Sequence, residues 1–275
     1  MFSWTAPRTT PLIVAHRGAS RIAPENTLAA FSRAIDDGAD AIELDVRLIA
    51  DGNVVVFHDS RLERTSDGAG KIERRSLDEL KGLSAGSWYH PVFSGEQIPT
   101  LDDVFELIRH RVGVNIELKS DRLPLRGLRP RRLPLRGLGR PGGAMPRGEI
   151  VHQVLRIIRR HRMEHLVLLS SFHHRLIRLA HSLRSGIATG FLFHTITAFG
   201  RAPLLRTRRG SGDYLIVNGS SCSRRLVARA HAADIRIGEY TINSSRRLRR
   251  AVRFGVDAVY TDDPAAIIAD LHTTK

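Results

Sequence analysis

Four short stretches of the sequence hold the side chains with chemistry in them: His16-Arg17-Gly18, Glu43-Leu44-Asp45, His58-Asp59 and Asn115-Ile116-Glu117-Leu118-Lys119. Side chains alternate along an extended strand, so Glu43 and Asp45 share one face, as do Asn115, Glu117 and Lys119. Where those faces meet in a common interior, three carboxylates converge. Uncompensated, they repel one another and are driven to protonate, at a cost of several kcal/mol each. A divalent cation removes the conflict, and oxygen-only ligands select a hard ion, Mg²⁺ or Ca²⁺, over zinc. Such an ion can clamp a phosphoryl oxygen and offset charge that develops in a transition state. His16 and His58 are then the candidates for general base and general acid, because imidazole titrates near neutral pH. Arg17 offers a fork of donors suited to phosphate, and Lys119 a point charge.

Each of these has a plainer alternative. A histidine at a strand end is often only a satisfied polar residue, Glu-x-Asp is a common pair, and Lys119 can be a solvated loop residue. Asp262-Asp263-Pro264 reads as the start of a helix, with an Asp cap and Pro in the first turn. His173 and His174 directly follow a predicted strand, but adjacent side chains point apart. His90, His152, His161 and His181 fall in predicted helices or in the segment after His58, and read as surface or packing residues.

The elements that must position the candidates follow a regular rhythm. Short apolar, β-branched runs are predicted as strands over 12–16, 41–46, 113–118, 166–170, 188–193, 214–218, 235–242 and 257–261. Amphipathic segments lie between them, among them 26–38, 101–110, 149–161, 224–233 and 245–255; in the first, Leu28, Phe31, Ala34 and Ile35 form one stripe and Gly38 supplies a stop. Eight strands alternating with helices predict an α/β fold, a (β/α)₈ TIM barrel, whose reactive residues gather at the carboxyl ends of its strands. A ninth run over 53–57 follows the second strand across a short turn through Ala50, Asp51 and Gly52, too short for a parallel crossover. It must fold back as a hairpin, which brings His58 to the level of Glu43 and Asp45. The segment 59–100, rich in Gly, Ser and charge, is expected to form a small lobe over the same end of the barrel.

A chain of 275 residues that is 42% hydrophobic suits a single barrel domain over 1–275. The net charge is +15, and residues 122–148 contribute eight Arg with no Lys, Asp or Glu, which leaves +7 elsewhere. Within that segment RLPLRGL occurs twice, at Arg122 and Arg132. The repeat is too short and too rich in Pro, Gly and Arg for a packed element and is expected to be a tolerated loop insertion. Its position just after Lys119 would allow weak association with an anionic membrane. The single cysteine, Cys222, excludes an internal disulfide. The first apolar run, Leu12 to Ala15, is too short for a signal peptide or a membrane span, so a cytoplasmic location is expected.

The stretches AHRGAS, APENTLAAF, GADAIELDVRLIADGNVVVFHD and NIELK, in this order, resemble the glycerophosphodiester phosphodiesterase family, a branch of the phosphatidylinositol-phospholipase-C-like barrels. The resemblance runs from about Leu12 to Lys119 and resumes from Glu149 to about Ala266; Ser170-Ser171-Phe172 and Thr261-Asp262-Asp263-Pro264 add weaker matches. It implies that His16 and His58 are the acid/base pair, that Arg17 and Lys119 contact the substrate, and that Glu43, Asp45 and Glu117 hold the metal. Glu25 and Asn26 would brace the loop after the first strand. The implied activity is metal-dependent hydrolysis of small glycerophosphodiesters to sn-glycerol 3-phosphate and an alcohol. Lysophospholipase-D-like or sphingomyelinase-D-like action on lipids is the alternative within enzymes. A non-catalytic barrel binding anionic membranes or nucleic acid is the third reading, and the intact set of five His, Asp and Glu residues argues against it. One departure stands out: the family commonly carries Trp-Thr-Val-Asn on its seventh strand, and here the stretch is Tyr240-Thr241-Ile242-Asn243.

Overall fold

The computed structural model describes residues 2–119, 148–183, 185–194, 207 and 212–273. The repeat-bearing loop therefore lies outside the described residues. In chain order the strands are β1 (Leu12–His16), β2 (Ala41–Leu48), β3 (Val54–Val56), β4 (Gly113–Leu118), β5 (Val167–Ser171), β6 (Ala188–Phe193), β7 (Tyr214–Asn218), β8 (Arg236–Tyr240) and β9 (Ala258–Thr261). All but β3 run parallel in the order β1-β2-β4-β5-β6-β7-β8-β9, and β9 pairs with β1 to close the ring. The described helices are α1 (Leu28–Asp36), α2 (Leu77–Lys81), α3 (Leu101–Ile108), α4 (Glu149–Arg160), α5 (His174–Ser182), α6 (Arg224–His231), α7 (Ser245–Phe254) and α8 (Pro264–Thr273). This is the expected (β/α)₈ barrel.

Alternation along the strands sorts the side chains. Ile42, Leu44, Val46, Val114 and Ile116 point outward and pack with Phe31, Val104, Phe105, Val151 and Val154 of α1, α3 and α4. Leu12, Val14, Leu168, Tyr214, Ile216 and Tyr260 point inward and fill the barrel with Trp4. Trp4 closes the amino-terminal end: its indole N–H donates to the Leu166 carbonyl at 2.8 Å, and the Trp4 carbonyl accepts from the Tyr214 hydroxyl at 2.7 Å. Truncating so large a buried ring to alanine should cost about 3–5 kcal/mol. The inward residues at the other ends of the strands face the carboxyl-terminal mouth, where barrels of this kind place their chemistry.

The hairpin forms as the short turn requires. β3 runs antiparallel to β2 with Val56 opposite Val46, and Gly52 takes the positive φ of 86° that the turn needs. The Phe57 N–H then donates to the Asp45 carbonyl at 2.8 Å, which sets His58 beside the carboxylates. Beyond it, Leu62, Ile72, Leu80, Ala85 and Ile98 pack on Ile49, Val55 and Phe57 as a small separate core. One predicted strand is too long. The run over 235–242 is a strand only over Arg236–Tyr240, and the next residues leave the sheet so that Asn243 can reach Asp262.

Candidate active site

The loop after β1 is built to carry reactive groups. Arg17 adopts φ 58° and Gly18 φ 82°, and a Cβ on Gly18 would lie 2.6 Å from the Ala30 backbone, so only glycine lets α1 come this close. The Arg17 N–H donates to Glu43 Oε2 at 2.9 Å, and its guanidinium reaches Glu25 Oε1 at 2.8 Å and Asp45 Oδ2 at 3.3 Å. Asn26, also at positive φ (60°), donates its amide to Asp45 Oδ2 at 2.9 Å and accepts the Asp45 N–H at 3.2 Å. A polar residue in a left-handed conformation is a local cost, here offset by hydrogen bonds to the site. Glu25 and Asn26 thus brace the loop, as expected.

Glu43, Asp45 and Glu117 are 3%, 1% and 8% exposed, and each can offer an oxygen within 4.8 Å of the others. Burial first, and then the neighbouring Asp45 charge, push Glu43 up to about 8 and Glu117 up to about 7. Burial would raise Asp45 too, but Lys119, followed by Arg17, His58 and the Asn26 amide, holds it well below the usual carboxylate range. Lys119 Nζ lies 2.6 Å from Glu117 Oε1 and 2.9 Å from Asp45 Oδ1, so it is an interior ion-pair partner and not a solvated loop residue. Beyond that ion pair, Asp45 Oδ1 has no well-directed hydrogen bond. A buried carboxylate trio with two members driven to protonate suits a hard divalent cation.

The two histidines stand on either side of this trio. His16, at the end of β1, lies with Nδ1 2.7 Å from Asp262 Oδ1. Asp262 is in turn held by the Asn243 amide at 2.6 Å and the Ser20 hydroxyl at 3.3 Å. His58 lies with Nδ1 2.5 Å from Asp59 Oδ1, and its carbonyl accepts two bonds from buried Arg47, at 2.9 and 2.6 Å. Since a carboxylate only accepts, each Nδ1 carries the proton, and Nε2 is the nitrogen left for exchange. Burial opposes charging of His16, yet the Asp262 bond and the Glu43 charge outweigh it and its pKa rises. In His58 burial prevails, helped by Lys119 and Arg17 and opposed by Asp45 and Asp59, and the pKa falls.

All seven sequence-predicted residues, His16, Arg17, Glu43, Asp45, His58, Glu117 and Lys119, therefore meet at one end of the barrel. Reading Asp262-Asp263-Pro264 only as a helix start needs correction. Asp263 does cap α8, accepting the Ala266 N–H at 3.2 Å, but Asp262 turns inward to His16. Asn243, Arg47, Asp59 and Arg64 also went unassigned. The aspartate directly after His58 was the visible signal; Arg64 gave none. His174 packs between Phe191 and Phe193 and is 3.0 Å from the Leu192 carbonyl, away from the trio's hydrogen-bonding network. The Tyr240 that replaces the family's tryptophan keeps an aromatic wall, with its edge against Phe172 and its hydroxyl donating to the Phe193 carbonyl at 3.0 Å. Burial and Glu117 raise that hydroxyl to about 12.

A TIM barrel with ionisable groups concentrated at the carboxyl ends of its strands defines a barrel enzyme. The Glycerophosphoryl diester phosphodiesterase family model matches residues 16–131 and 142–266. A glycerophosphodiester phosphodiesterase from Caldanaerobacter subterraneus is 33% identical over 258 residues, covering 94% of this chain and 96% of that one. Another from Bacillus altitudinis is 32% identical, covering 92% and 94%. Among solved structures, an Oleispira antarctica phosphodiesterase in complex with the product sn-glycerol-3-phosphate superposes with a TM-score of 0.82 at 31% identity, covering 96% of this chain and 97% of that one. The chain belongs to the glycerophosphoryl diester phosphodiesterase family and is a hydrolase of that class. Among the described residues, no helix is long and apolar enough to cross a membrane.

Proposed function

We propose that the chain hydrolyses small glycerophosphodiesters to sn-glycerol 3-phosphate and an alcohol, with His16 and His58 as its proton-transfer pair. The observation that carries this reading is the symmetry of support at the site: each histidine is fixed through Nδ1 by its own carboxylate, on either side of a buried acidic trio. The product named in the Oleispira antarctica complex supports the substrate class.

His58, whose pKa is lowered, is the ring available to accept a proton, and His16, whose pKa is raised, is the ring able to donate one. In the first step His58 takes the proton from the glycerol hydroxyl next to the phosphate; that oxygen bonds to phosphorus as the bond to the alcohol oxygen breaks. His16 protonates the departing oxygen. In the second step the roles reverse and water opens the cyclic ester. Arg17 and Lys119 hold the diester's negative charge at the mouth. Glu43, Asp45 and Glu117 would hold Mg²⁺ or Ca²⁺, which when bound supplies charge neutralisation at a phosphoryl oxygen.

The test is release of sn-glycerol 3-phosphate from glycerophosphocholine with Mg²⁺ or Ca²⁺, with and without EDTA, beside lysophosphatidylcholine. Release from the small diester that EDTA abolishes is the expected result. A preference for lysophosphatidylcholine would replace this reading with the lipid one, and full activity in EDTA would remove the cation from it.

A further inference from the structure

Arg64 lies in the lobe, six residues past His58, and joins two acids that belong to different parts of the site. Its Nε donates to Asp59 Oδ2 at 2.6 Å and its Nη2 reaches Asp59 Oδ1 at 3.1 Å. Its Nη1 and Nη2 donate to Glu25 Oε2 and Oε1 at 2.9 and 2.8 Å. Four contacts from one guanidinium, two to each carboxylate, fix both acids in direction as well as distance, which a lysine ammonium cannot do. Asp59 continues to His58 Nδ1, and Glu25 continues to the Arg17 guanidinium. The chain His58–Asp59–Arg64–Glu25–Arg17 is thus an unbroken path from the lobe to the loop after β1.

We propose that Arg64 is the positioning residue for His58, acting through Asp59, with Glu25 as its anchor on the loop that carries His16 and Arg17. The contrast with His16 supports this assignment. Asp262 is held by residues of the barrel itself, Asn243 and Ser20, whereas Asp59 sits at the start of a lobe with its own small core. Nothing in the barrel sheet holds the Asp59 carboxylate; among the described residues its hydrogen-bond partners are His58 and Arg64. Both neighbours of Arg64 titrate accordingly. Burial would raise Asp59, but hydrogen bonds from Arg64 and then His58 bring it to about 2; burial would raise Glu25 as well, and Arg64 followed by Arg17 lowers it. Both carboxylates are therefore biased toward the ionised form that the fork requires.

This proposal rests on His58 acting in proton transfer, and the experiment separates the two claims. A catalytic group displaced by about 1 Å can lose about a hundredfold in rate, so Arg64→Ala should lower kcat on glycerophosphocholine by about ten- to a hundredfold, with KM changing less than about threefold. Added guanidinium should restore part of the lost kcat in Arg64→Ala but none in Arg64→Ala/Asp59→Asn. The double variant should be little worse than Asp59→Asn alone, since both remove the same support. Arg64→Lys, which keeps the charge without the fork, should show a smaller loss of the same kind and serves if the alanine variant folds poorly. Wild-type kcat in both Arg64 variants, or losses that multiply in the double variant, would overturn the positioning role. Full activity in His58→Ala would instead sink the underlying reading, whatever the Arg64 variants do.

Discussion

His16 and His58 are supported by different parts of the molecule. His16 ends a barrel strand, and its partner Asp262 follows another strand hydrogen-bonded directly to the first, so both are placed by the closed sheet. His58 ends a hairpin strand at the edge of that sheet, and its partner is held by a lobe through one arginine. The environments push the two rings in opposite directions, one up and one down. Two side chains of one type are thus biased in opposite directions, as the proposed division into proton donor and proton acceptor needs. The sheet holds one half, and a network of partly exposed ion pairs holds the other.

The comparison can be broken most severely at the rings. His16→Ala and His58→Ala should each lower kcat for glycerol 3-phosphate release by about 10²- to 10⁴-fold; a variant that keeps a tenth of wild-type activity would exclude its histidine from proton transfer. The supports come next. Asp262→Asn and Asp59→Asn should each cost about ten- to a hundredfold in kcat, and the thermal midpoint should fall more for Asp262→Asn, because Asn243 and Ser20 tie Asp262 to the closed barrel whereas Arg64 ties Asp59 to the smaller lobe. Equal midpoints would mean that the sheet does not support its half of the site more firmly.

A smaller effect concerns the acidic trio. Glu43 and Glu117 have folded pKa values above the usual 4.5, at about 8 and about 7. Without a cation the folded chain therefore binds more protons than the unfolded chain between pH 4.5 and 8, and stability falls as pH rises through that window. A cation that needs both carboxylates ionised should bind more tightly at pH 8 than at pH 6. Saturation at about 100 times Kd would add about 2.7 kcal/mol, or several degrees in thermal midpoint for a chain of this size. Midpoints measured with Mg²⁺ or Ca²⁺ against EDTA should separate more at pH 8; an equal or reversed gap would contradict the assignment. The smallest effect is expected from deleting residues 122–140. Loops tolerate such changes, so kcat on a small soluble diester should stay within about threefold, and a collapse would make the loop part of the site.

Most of the barrel was legible because its strands are short apolar runs bounded by turn residues, and because alternation placed Glu43 with Asp45 and Glu117 with Lys119. The hairpin followed from a connection too short for a parallel crossover. What escaped the sequence depends on contacts between distant segments. Asp262 and Asp263 are adjacent and chemically identical, yet one caps a helix and the other orients His16, and only the path of the chain after Thr261 separates them. Asn243 reaches Asp262 because β8 ends early, a boundary that the apolar pattern of Ile235 to Ile242 conceals. Trp4 precedes the first predicted strand, and only its contact with Leu166, 162 residues away, shows that it closes the barrel. Arg64 is one arginine among many in a basic sequence, and its fork appears only once the lobe lies against the loop after β1.

The central claim is that the two histidines form a proton-transfer pair whose surroundings bias their pKa values in opposite directions, each ring being held at Nδ1 by its own carboxylate. The pH dependence of kcat/KM for glycerophosphocholine in the wild type, Asp262→Asn and Asp59→Asn tests it directly. Loss of Asp262 should lower the pKa of the proton donor His16 and move only the alkaline limb to lower pH. Loss of Asp59 should lower the pKa of the acceptor His58 and move only the acid limb to lower pH. Limbs that stay fixed, or that move with the opposite partner, would contradict the assignment of His16 as acid and His58 as base.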